Sequence, residues 1–263
     1  VVLQQRVDWL TIAGWGALLM PLLTMWHEIG GHAAACAMQG GRVTTIGAFY
    51  AECAGLPDLQ NAVVASAGVA VNAALSLAAY ACWRRAQGNV ARLALWLVWV
   101  SEGFVAAGYF CFSGVTGVGD LGRRLAGLVG FPWPVVWRLG ETAIGIIAYV
   151  LLVRAAITGL NAMLGTGIRT RLARRRIAHS FYLAAGLCAV LVGLLNPVGI
   201  FVTIMSAAAS SFGGLAGFIS VGFAAGGADA PRDFLISRNW AVIACGGAVL
   251  TAFAIVLGPS VQP

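Results

Sequence analysis

Long apolar runs separated by short polar connections dominate the chain. A bilayer-spanning helix needs about 20 predominantly apolar residues. On that measure the pattern predicts seven spans, at about residues 9–38, 59–83, 93–113, 134–153, 180–196, 198–224 and 239–258. The first is longer than a bilayer requires and is interrupted by polar residues at 27–32. The fifth and sixth meet at Asn196–Pro197, a turn or a kink, and the sixth is rich in small residues from Ser206 to Gly214. Merging these two leaves six spans. The expected fold is therefore all-α, a polytopic transmembrane bundle of six or seven helices.

Composition agrees. About 60% of the 263 residues are apolar and 10% are charged, against about 45–50% and 25% in soluble domains. Such a chain is neither a disordered segment nor a cytosolic enzyme, and no polar stretch is long enough for a separate soluble domain. The first apolar run lacks a small-residue cleavage site before His27, so it is expected to be a retained helix and not a signal peptide.

The net charge is +7, and all 16 cations are Arg. They gather between apolar runs. Such clustering marks cytoplasmic loops and does not suggest nucleic-acid binding. Twelve of the 16 fall in the N-terminus and the 84–92, 154–179 and 226–238 connections, which favours a cytoplasmic N-terminus. The 154–179 stretch is expected to be a basic cytoplasmic loop against lipid headgroups. A multi-pass protein of a bacterial inner membrane is the expected setting, with the lipid bilayer as its first partner. Six scattered cysteines form no C-x-x-C pair and read as small apolar packing residues.

Ionisable groups inside spans are costly and mark candidate sites. The densest group is His27-Glu28-Ile29-Gly30-Gly31-His32, which holds two of the three histidines. Imidazoles are favoured zinc ligands, and a carboxylate between them suits a general base. The spacing is i, i+5, whereas the H-E-x-x-H motif places its histidines at i, i+4. On a regular helix residues five apart point about 140° from each other. A π-bulge would return them to one face, and Gly30–Gly31 is where the backbone yields most easily. The competing arrangement takes Glu28 and His32 as ligands and leaves His27 out.

A third ligand is needed if one position is left to water. Asp120, Glu102, Glu141, Asp58 and Glu52 are the candidates. Span parity puts Asp120, just past the third span, on the same side as His27 and His32, with Asn72 of the second span at similar depth. Glu102 lies nearer mid-span, suited to an interhelix hydrogen bond or to water access. Glu141 follows Arg138 by three residues, a spacing for a local ion pair.

Over residues 20–125 the chain resembles the site-2 protease family, the intramembrane zinc metalloproteases. His27-Glu28-x-Gly30-Gly31-His32 is similar to that family's H-E-x-G-H helix with one extra residue. Ala67-Gly68 followed by Asn72 is similar to its A-G-P-x-x-N segment with Val69 in place of Pro, and Asp120 with Leu121-Gly122 is similar to its D-G element. The resemblance implies a three-span catalytic core over 1–125 and additional helices over 126–263. It also implies Zn²⁺ held by His27, His32 and Asp120, Glu28 as general base, and Asn72 placing the substrate or stabilising an oxyanion. The implied activity is hydrolysis of peptide bonds in or near the membrane segments of transmembrane protein substrates. Two alternatives stand beside it: an inactive relative that binds membrane helices, and a cation or proton transporter using the same polar groups.

Overall fold

A computed structural model describes residues 5–122 and 132–263. The expected boundary at 125–126 lies outside the described residues. Six helices are long and apolar enough to cross a membrane: α1 Trp9–Met38, α2 Asp58–Arg85, α3 Asn89–Thr116, α4 Pro134–Leu164, α5 Ile168–Gly193 and α6 Ile200–Phe223. The seventh expected span is α7, Trp240–Val256, which has only 17 residues, about 25 Å of helix. The protein is an all-α polytopic bundle.

Local chemistry sets the helix ends. Asp8 caps α1 by accepting from the Thr11 amide at 2.9 Å, and Asn239 caps α7 by accepting from the Val242 amide. Such caps satisfy amides that have no partner inside the helix. Gly117 ends α3 in the left-handed conformation at φ 77°, which costs glycine little. Pro134 opens α4, where its missing N–H is not needed. At Asn196–Pro197 the chain turns. Asn196 Oδ1 accepts from the Val198 amide at 2.8 Å, separating α5 from α6.

The central helix is α3. Its Leu93, Trp96, Leu97, Val100 and Phe104 are fully buried, and it packs against both α2 and α4. Helix α1 packs against α5 and α7. The opposite surface of α4 presents Val135, Leu139, Ile147 and Leu151 outward, an apolar band suited to lipid.

Between 154 and 179 the structure departs from the loop expected there. Helix α4 runs on to Leu164 and a 3-10 turn at Ile168–Thr170 leads directly into regular helix at Arg171. Arg174 is fully buried. Its guanidinium donates to Thr170 Oγ1 at 2.7 Å, to the Gly165 carbonyl at 2.9 Å and to Asn161 Oδ1. A run of cations reads as a solvated loop only if none turns inward, and here one ties α4 to α5. Arg138, expected to pair with Glu141, instead donates to the α3-terminal carbonyls of Gly114 and Val115.

The expected 39–58 loop is largely a hairpin. Strand β2, Arg42–Gly47, pairs antiparallel with β3, Tyr50–Ala54. The tail adds to the hairpin through a bridge between Ile46 and Val261 and a 2.6 Å contact between the Tyr50 and Ser260 hydroxyls. Cys36 and Cys53 form a disulfide, which corrects the reading of all six cysteines as packing residues. The 17-residue separation gives no local signature of that bond.

Candidate metal centre

Residues Trp26–Ala33 of α1 are π-helical. The wider turn absorbs the extra residue, and the two imidazoles meet with their Nε2 atoms 3.1 Å apart. Asp120, three residues past the Gly117 cap, brings Oδ2 to 3.1 Å from His27 Nε2 and 3.4 Å from His32 Nε2. These three residues form a group that could hold a metal ion. Glu28 is not part of it, so the geometry does not follow the arrangement that left His27 out.

The dimensions fit a small divalent ion. Ligands at about 2.0–2.1 Å in a tetrahedron stand about 3.3 Å from one another. The three observed separations bracket that edge. Asp120 Oδ2 is buried and has no hydrogen-bond partner among the described residues, as expected of an oxygen reserved for a cation.

The far edges of both rings are also fixed. His32 Nδ1 donates to the Val64 carbonyl of α2 at 2.8 Å. Asn72, also on α2, turns its amide so that Oδ1 accepts from His27 Nδ1 at 3.1 Å. Its Nδ2 then donates to Glu102 Oε2 and to the Gly68 carbonyl, both at 3.2 Å. With each Nδ1 carrying the proton, both Nε2 lone pairs point at Asp120. Asn72 therefore stands behind His27. Glu102, expected to form an interhelix hydrogen bond, anchors Asn72 from α3. Tyr109, which sequence reasoning missed, stacks on His27 with ring centroids 5.0 Å apart. Its position on α3, seven residues after Glu102, was the available signal.

Close helix approach makes room for the cluster. A Cβ on Gly31 would lie 2.6 Å from the Gly68 Cα. A Cβ on Gly68 would lie 2.5 Å from His32 Nε2 and 2.6 Å from His27 Nε2. Only glycine at both positions lets α2 run this close behind the imidazoles.

Glu28 is buried, and its Oε2 has no hydrogen-bond partner among the described residues. Together with His32 and Asp120 it lines an open cavity of about 610 Å³, walled by Tyr50, Ala51 and Cys53 of β3. On its other side Glu28 lines a smaller chamber of about 70 Å³ with His27, Asn72, Ser101, Glu102 and Ser210.

The other carboxylates considered as ligands lie outside the cluster. Asp58 lines the same cavity, whereas Glu52 accepts from Thr45 Oγ1 at 2.7 Å and Glu141 is buried on α4. The third histidine, His179, donates through Nε2 to the Ile219 carbonyl at 3.2 Å. Compared with family models, curated proteins and solved structures, the chain matches none.

Proposed function

We propose that the chain is an intramembrane zinc metalloprotease of the site-2 protease type, acting in a bacterial inner membrane on transmembrane protein substrates. The observation that carries this reading is the convergence of His27 Nε2, His32 Nε2 and Asp120 Oδ2 within tetrahedral distances, beside a buried Glu28 whose Oε2 has no hydrogen-bond partner among the described residues. Zinc at such a donor set supplies Lewis acidity toward a peptide carbonyl and toward water.

The chain's own residues do the rest. Glu28 accepts a proton from the attacking water and passes it to the leaving amine. Asn72 and the Val64 carbonyl hold the two imidazoles in the ligating tautomer. A substrate helix hides its carbonyls in i→i−4 bonds, so it must unwind before it is cut. Strand β3 lines the open cavity and pairs only with β2 among the described residues, which leaves an edge to which extended backbone could hydrogen-bond.

The test uses purified protein in lipid vesicles with a single-span substrate helix containing Gly and Pro near one end. One zinc per chain and cleavage of that helix are expected. Glu28→Gln should keep the zinc and abolish cleavage. Zinc without cleavage in the native chain, across a panel of such helices, would favour a non-catalytic helix-binding role. Zinc-independent cation flux through the vesicles would favour transport.

A further inference from the structure

The disulfide and most of the arginines lie at opposite ends of the bundle. Cys36 is four residues beyond His32 on α1, and its partner Cys53 lies in the β3 wall of the cavity that contains Glu28, His32 and Asp120. Gly41 sits against the bond, since a Cβ there would lie 2.7 Å from Cys53 Sγ and 2.9 Å from Cys36 Sγ. Disulfides persist on the oxidising side of a cell membrane and are rare on the reducing side.

The helix order assigns the arginines to ends. Arg6, Arg84, Arg85 and Arg92, the six between 154 and 176, and Arg232 and Arg238 belong to the end where α1 begins and α2 finishes, 12 of the 16. Arg42 and Arg138 belong to the disulfide end, while Arg123 and Arg124 lie outside the described residues. Arginine accumulates on the cytoplasmic side because of how spans are inserted. That cause is unrelated to redox chemistry, yet both observations give the disulfide end the same side. The depth is compatible with access from there: His32 lies six residues before the end of α1, about 9 Å along the helix.

We infer that the metal centre opens toward the oxidising, extracytoplasmic face, and that the Cys36–Cys53 bond forms there to fix the cavity wall. Formation takes two thiols to one disulfide, with two protons released and two electrons passed to a disulfide oxidant of that compartment. Metal and substrate backbone then both reach the site from outside the cytoplasm. The word substrate rests on the protease reading; the orientation does not.

The experiment uses the full chain in intact cells, with Cys82, Cys111, Cys188 and Cys245 replaced by Ala. Exposed reporters, Gln39→Cys at the site end and Arg84→Cys at the other, are introduced singly. A membrane-impermeant maleimide should label Gln39→Cys in intact cells and Arg84→Cys only after permeabilisation. Without either reporter, Cys36 and Cys53 should react only after reduction. Labelling of Arg84→Cys from outside, or free Cys36 and Cys53 thiols in untreated protein, overturns the inference. Neither readout depends on zinc or on cleavage, so failure here is distinguishable from failure of the protease reading.

Discussion

Replacing Gly68 with alanine puts a methyl carbon where the metal ligands already are. It would stand 2.5 Å from His32 Nε2 and 2.6 Å from His27 Nε2 and Cε1. Ordinary contact begins near 3.4 Å, so the rings or the α2 backbone must give way by nearly 1 Å. Metal–ligand distances tolerate only about ±0.2 Å, so displaced imidazoles cannot share one ion. Loss of a partner one layer further out costs about 10–100-fold in metal affinity, and direct displacement of two ligands should cost at least that. Overpacking adds about 1–3 kcal/mol of destabilisation. The assay is zinc competition against a chelator, with helical content and Tm recorded in parallel. Gly140→Ala, where a Cβ meets nothing within 4 Å, is the control and should bind zinc as the native chain does. A Gly68→Ala protein that holds one zinc with native affinity would refute the close-approach argument.

The other predictions concern the support behind His27 and the cap of α1. Glu102→Leu removes the anchor of Asn72 and should weaken zinc binding about 10–100-fold; Asn72→Asp in that background, whose carboxylate accepts from His27 Nδ1 unaided, should restore it, and failure of the rescue would leave Glu102 a packing residue. Burial works to raise the Asp8 carboxyl, but hydrogen bonds from Arg238 and Thr11 outweigh it and hold it below its usual value. The carboxylate form is thus favoured in the folded state, and its contribution is present above the unfolded pKa of about 4 and lost as pH falls through the lower folded value. Asp8→Ala should therefore cost about 1 kcal/mol at neutral pH, and a Tm difference from the native chain that does not shrink in acid would contradict this.

What was legible in the sequence was mostly local or periodic. The i, i+5 histidine spacing beside Gly30–Gly31 admits few backbone solutions, and the π-helical turn at 26–33 is the one anticipated. Span parity sufficed to bring Asp120 and Asn72 to the level of the histidines, because each crossing reverses direction whatever the details of packing. The rest depends on tertiary partners that spacing does not encode. The Cys36–Cys53 bond needs the hairpin to fold β3 back on α1, and nothing near either cysteine announces that. Arg174 looks like its neighbours Arg175 and Arg176 until α4 supplies Asn161 and Gly165 as acceptors. Asn72 was placed at the level of the histidines, but which edge of His27 it meets depends on the rotation of α2. Tyr109 was missed because an aromatic on an apolar helix is ordinary until the ring beside it proves to be a histidine.

The central claim is that two imidazoles five residues apart and the Asp120 carboxylate hold one ion. X-ray absorption at the zinc edge of the loaded chain tests it most directly. The account predicts one zinc per chain, with two histidine nitrogens and one carboxylate oxygen at about 2.0–2.2 Å, and loss of that signature in both His27→Ala and Asp120→Ala. A zinc shell with a single imidazole, one built on sulfur, or one unchanged by either substitution would contradict it.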